Sequence, residues 1–154
     1  MNLSELIAPE AIIPALKANS KKQVLQILAE KAAELTGLNE RVVFDIVLQR
    51  EKLGSTGLGS GIAIPHGKLP NINRIIGIFA RLESPVDFEA LDDEPIDLVF
   101  LLLAPENAGA DHLKALSQIA RILRHSEVVQ KLRNTHDANT LYALLVQNSA
   151  SNAA

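Results

Sequence analysis

Fifteen residues, GSTGLGSGIAIPHGK from Gly54 to Lys68, carry the densest chemical signal in this chain. Five of the eight glycines fall there, and the stretch closes on His66 between Pro65 and Gly67. A neutral imidazole is a nucleophile near neutral pH. Pro65 fixes its own φ and confines Ile64 to an extended shape, so a strand is expected to end at that point. Gly67 is expected to let the backbone turn away without a side chain beside the ring. Gly57, Gly59 and Gly61 let amides approach an anion closely, and the Ser55 and Thr56 hydroxyls can donate to it. The pattern points to a phosphate or carboxylate held beside His66.

Two further residues join this constellation. Arg50 continues the apolar stripe Val43, Ile46 and Val47. A cation in the last turn of a helix complements its dipole without any function. Its place on the inner stripe, however, predicts an inward guanidinium, able to bind phosphoryl oxygens bidentately. His112 follows a long apolar run, at the first turn of a predicted helix. A cation is disfavoured there, so this imidazole is expected to stay neutral and to offer one hydrogen bond. His125 and His136 lack any glycine or arginine signal and read as surface residues.

Other chemistries fit poorly. In GIAIPHGKL five residues separate Gly61 from Gly67, and Lys68 is followed by Leu69, so the phosphate-loop spacing and its hydroxyl are missing. The evenly spaced glycines follow a helix where the dinucleotide fingerprint follows a strand. No carboxylate lies at ligand spacing from His66 or His112, so no metal is expected. No serine stands on a nucleophile elbow, and Asp111 reads as a helix cap.

The elements that must position these residues are legible in outline. Ser20 and Gln23 form a capping box ahead of KKQVLQILAEKAAELT, which Gly37 stops. Asn39 caps ERVVFDIVLQREKL. Short strands are expected at Ile62 to Ile64, at Ile75 to Leu82, and at Val86 to Phe88 on an edge. DLVFLLLA, Asp97 to Ala104, reads as a strand buried on both faces. DHLKALSQIARILRH follows, with Leu113, Leu116, Ala120 and Leu123 expected on its inner face. Ser126 and Asp137 are expected to cap two last helices. Helices, then strands, then helices predict one α/β domain with a sheet covered on both faces.

Composition agrees. The hydrophobic fraction is 47% and the charged fraction 21%, ordinary for a globular chain. A net charge of -3 without a basic patch argues against nucleic acid. The chain has no cysteine. The start MNLSELIAPE lacks the pattern of a signal peptide, and the longest apolar run, Leu98 to Ala104, is far short of a membrane span. A cytoplasmic location without membrane insertion is therefore expected.

REKLGSTGLGSGIAIPHGK, Arg50 to Lys68, resembles the signature of enzyme IIA domains of the bacterial phosphotransferase system, fructose/mannitol class. The helix pair, DLVFLLLAP and DHLKALSQIARIL extend the likeness over nearly the whole chain, and within the class it resembles the nitrogen-regulatory branch. The resemblance implies a type-2 IIA domain over residues 1–147, with a mixed sheet of about five strands flanked by helices; the small, polar tail NSASNAA, 148–154, is expected from its composition to be disordered. It implies that His66 accepts a phosphoryl group on a ring nitrogen, that His112 hydrogen-bonds near it, and that Arg50 supports the phosphorylated state. The implied donor is an HPr-like phosphocarrier (NPr) in a relay that starts from phosphoenolpyruvate, with no cofactor. Regulated targets such as ion transporters or sensor kinases would follow. Two alternatives stay open: a sugar-specific IIA that passes phosphate to a IIB domain, and a module that binds an anion or a partner without accepting phosphate.

Overall fold

The computed structural model describes residues 2–152. Helix α1 (Leu3–Leu6) leads into strand β1 (Ile12–Leu16), followed by helices α2 (Lys21–Thr36) and α3 (Glu40–Leu53). Strands β2 (Gly57–Gly59), β3 (Ile62–Ala63), β4 (His66–Leu69), β5 (Ile76–Val86) and β6 (Ile96–Pro105) come next. Helices α4 (Ala110–Ile122), α5 (Ser126–Arg133) and α6 (Ala138–Asn152) complete the order. One mixed sheet runs β1-β5-β6-β3-β2, with β4 also paired to β6. Helix α2 packs on β5 and α3 on β4, while α4 and α6 pack on β6 and β1. Every residue of β6 from Leu98 to Pro105 is buried, as a strand covered on both faces requires.

The expected caps form for local reasons. The Gln23 amide donates to Ser20 Oγ and the Val42 amide to Asn39 Oδ1. Gly37 closes α2 in the left-handed region at φ 76°. Asp137 accepts from both the amide and the hydroxyl of Thr140. Ser126 and Asp111 do not cap: Ser126 is the first residue of α5, and Asp111 sits in the first turn of a helix that starts after Gly109.

Several expectations need correcting. The expected edge strand at Val86 is the end of β5, where Val86 pairs with Ile96, and Phe88 is a fully buried loop residue. The buried stripe of α4 is His112, Ala115, Ile119 and Ile122; of the expected face, Leu123 is buried, Leu116 and Ala120 are half-buried against the core, and Leu113 is exposed. The two stripes differ by one position in the helical period, and apolar spacing alone does not choose between them. Helix α6 continues to Asn152, so the tail expected over 148–154 overlaps its last turns. Ala153 and Ala154 lie outside the described residues.

The largest correction concerns His66. Strand β3 does end ahead of Pro65, as expected, but the chain does not turn away at Gly67. It resumes as β4, and the register onto β6 is the same on both sides: Ile62 pairs with Leu98, Ala63 with Val99, His66 with Leu102 and Gly67 with Leu103. β3 and β4 are one strand line with a gap at Ile64 and Pro65, bridged where the Leu102 amide donates to Pro65 O. Gly67 has another purpose. A Cβ there would stand 2.7 Å from Ile46 Cγ2, so the missing side chain is what lets α3 lie against β4. Gly67→Ala is expected to cost about 1–3 kcal/mol by overpacking, measured by urea unfolding. Adding Ile46→Ala should make the double variant less destabilised than the sum of the two single changes.

Candidate active site

Because α3 rests on β4, Arg50, one turn beyond Ile46, reaches the imidazole. Arg50 Nε donates to His66 Nε2 at 3.2 Å, and Arg50 Nη1 donates to Gly54 O at 3.0 Å. On the other side of the ring, His66 Nδ1 lies 2.9 Å from Ile64 O. A carbonyl can only accept, so Nδ1 carries the proton and Nε2 presents its lone pair. Burial pushes the His66 pKa below its ordinary value, and the Arg50 charge adds to that. The bond to Ile64 O and the Glu51 carboxylate oppose it.

His112 is buried, with its ring edge-on to His66 at 5.5 Å between centroids. Its pKa is also lowered, first by burial and then by His66 and Lys68. Its Nδ1 is buried without a hydrogen-bond partner among the described residues. An orphaned acceptor is less rare than an orphaned N–H, which favours the proton on Nε2. Arg50, His66 and His112, separated widely in sequence, therefore meet around one ring. Arg50, Ser55, Thr56, Gly57, Ile64 and His66 line part of an open groove of about 700 Å³.

The loop is used differently from its expected role as a phosphate cradle. The Ser55 hydroxyl donates to Phe88 O at 2.9 Å and accepts from the Gly57 amide. The Thr56 hydroxyl makes a very short hydrogen bond to Glu51, which also accepts from the Thr56 amide. Both hydroxyl protons are thus committed inside the protein. Gly59 and Gly61, at φ 93° and 83°, flank Ser60 in the β2–β3 turn and do not line the groove. The Asp92 carboxylate accepts from the Ser60 amide, and Arg133 donates to Ser60 O while paired with Asp97.

Sequence reasoning missed Glu51. Its carboxylate is almost fully buried and forms an ion pair with Lys21 at 2.6 Å while holding Thr56. Lys21 also donates to Phe88 O. The signal was available: an acid in the last turn of a helix opposes the dipole, so it needs a local partner. His125, expected as a plain surface residue, lines the groove with Arg121 and Arg124. Among the described residues no three His, Cys, Asp or Glu side chains gather as a metal site needs, and no helix is long and apolar enough to cross a membrane.

A phosphoryl-sized anion over Nε2 would meet Arg50 at once. The profile described as phosphoenolpyruvate-dependent sugar phosphotransferase system, EIIA 2, matches residues 5–148. The chain belongs to this EIIA 2 family. It is 62% identical to a nitrogen regulatory protein of Bradyrhizobium diazoefficiens over 153 residues, covering 99% of this chain and 100% of that one. The crystal structure of nitrogen regulatory protein IIA-Ntr from Neisseria meningitidis superposes with a TM-score of 0.88 at 35% identity, covering 93% of this chain and 98% of that one. The mannitol IIA of Escherichia coli follows at 0.77 and 25%, with 90% and 97% covered. This EIIA 2 protein is thus a component of a phosphotransferase system, whose chemistry is phosphoryl transfer, and it groups with the nitrogen-regulatory IIA proteins.

Two measurements check the electrostatics of this EIIA 2 site. In an NMR titration, the His66 ring should stay neutral below the ordinary value of 6.5, and Arg50→Met should move its midpoint upward. The sign for stability follows. A histidine held neutral in the fold contributes fully above the unfolded-state pKa, and that contribution is lost as pH falls towards the lowered folded value. Separately, Glu51→Gln leaves Lys21 without its counter-charge and should cost about 3 kcal/mol. Lys21→Met in the same chain should recover most of the loss in thermal or urea unfolding.

Proposed function

We propose that the protein accepts a phosphoryl group on Nε2 of His66 from an HPr-like phosphocarrier of the nitrogen branch (NPr). It then regulates partner proteins, such as ion transporters or sensor kinases, according to its phosphorylation state. The observation that carries this reading is the locked tautomer: Nδ1–H is committed to Ile64 O, so Nε2 is an unprotonated nucleophile facing Arg50.

The step balances without a metal or a net proton transfer. The phosphorus–nitrogen bond of the donor phosphohistidine breaks and its electron pair returns to the donor ring. The Nε2 lone pair forms the new phosphorus–nitrogen bond. Exchange of one phosphoramidate for another is close to thermoneutral, so positioning and charge stabilisation remain the protein's task. Arg50 Nε–H, released from Nε2, turns to a phosphoryl oxygen, where Arg binds well. A neutral His112 adds one hydrogen bond through Nε2–H. The Ser55 amide, which makes no bond within the described chain, supplies a backbone donor in place of the committed hydroxyls. On this reading the protein works in the cytoplasm, where its carrier is charged. The kinship with nitrogen regulatory proteins favours regulation over passage of phosphate to a sugar IIB domain.

Incubation with the phosphoenolpyruvate-driven relay should place one acid-labile, base-stable phosphoryl group on the wild type and none on His66→Ala. Arg50→Ala should still be labelled, but about a hundredfold more slowly. Label retained by His66→Ala sinks the assignment.

A further inference from the structure

The groove above His66 is much larger than a phosphoryl group, and its outer half is built from residues that the transfer step does not use. Helix α4 carries two apolar stripes. One, through Ala115 and Ile119, is buried in the core. The other runs through Leu113, Leu116 and Ala120; Leu113 is 65% exposed, while Leu116 and Ala120 line the groove. Leu58, 41% exposed, also lines it, on the β2 side.

At the end of α4 the character changes. Arg121 and Arg124 are exposed and line the same groove as Arg50. Among the described residues neither guanidinium has a carboxylate within ion-pair reach, and no acid lines the groove. This occurs in a chain with a net charge of -3. The helix dipole accounts for a cation at the end of α4. It does not account for two unpaired arginines converging with a third, from α3, on one groove with an apolar floor.

We propose that Arg121 and Arg124 select the phosphoryl donor: this face docks a phosphocarrier whose phosphohistidine is surrounded by an apolar patch and an acidic rim. The inference rests on His66 as acceptor. A donor that brings phosphorus to Nε2 must sit in this groove, against Leu116 and Ala120 and beside the two arginines. Its own rim must then carry the opposite sign, because juxtaposed like charges are strongly penalised and opposite ones speed encounter. A carrier with a basic rim would be turned away by the same two side chains.

The test uses the full chain and the HPr-like phosphocarrier of the same cell, charged from phosphoenolpyruvate. Arg121→Glu/Arg124→Glu should lower kcat/KM for transfer about tenfold or more at low salt, through KM. The gap should narrow as salt rises. The lifetime of the phosphoryl group on His66 should not change, and Arg121→Lys/Arg124→Lys should keep most of the rate. Both arginines are exposed, so thermal melts should match wild type. Calorimetric binding of the uncharged carrier to His66→Ala reads docking without chemistry and should show the same charge dependence. Equal or faster transfer by the charge-reversed protein overturns the proposal. So does self-association lost in that variant with unaltered carrier kinetics, which would assign the face to a second copy. If wild type takes no phosphoryl group yet the carrier binds with the expected charge dependence, the acceptor reading fails and the docking inference stands.

Discussion

Helix α3 lies as close to β4 as it does because residue 67 has no side chain. That one steric condition decides the geometry around the His66 ring. Ile46 takes the space a Cβ would fill, so the next turn of α3 brings Arg50 to Nε2 of His66 and Glu51 to the start of the glycine loop. Two adjacent residues of opposite charge thus face two different tasks. The arginine meets the imidazole at the groove, and the carboxylate is buried. Neither role is available unless the helix approaches this closely.

The buried carboxylate shows how a polar loop is stiffened without a hydrophobic core of its own. Glu51 is desolvated, which is costly for an unpaired charge. Lys21 pairs with Oε2, and the Thr56 amide and hydroxyl donate to Oε1. Phe88 O gathers Lys21 and the Ser55 hydroxyl on the far side. Four segments meet there: the start of α2, the end of α3, the glycine loop and the connection after β5. The loop's hydroxyls serve as internal fastenings, which leaves the arginine and backbone groups for an anion.

What could be read from the sequence was whatever is local. The caps at Ser20 and Asn39, the stop at Gly37 and the doubly buried strand β6 are encoded within a few residues of themselves. His66, Arg50 and His112 stood out because their types and surroundings were odd for their positions. Strand β4 was not legible: HGKL has little strand propensity and is extended only because β6 pairs with it. Strand β1 was hidden by Pro14, which an edge strand tolerates. The inner face of α4 was misjudged because that helix has two apolar stripes, and only tertiary packing tells a core from a contact surface. The routing of the Ser55 and Thr56 hydroxyls depends on Glu51 and Phe88, whose placement no local pattern announces.

The bond between His66 Nδ1 and Ile64 O has a meaning beyond the tautomer. Ile64 sits where β2 has run out: its amide still finds Thr56 O, but its carbonyl has no neighbouring strand to pair with. An unpaired carbonyl at a sheet margin is an invitation to another chain. Here the His66 imidazole occupies it, so the ring also closes the margin of the sheet. One hydrogen bond thus fixes the tautomer of the ring and occupies the carbonyl, and a substitution that removes the imidazole at position 66 removes both.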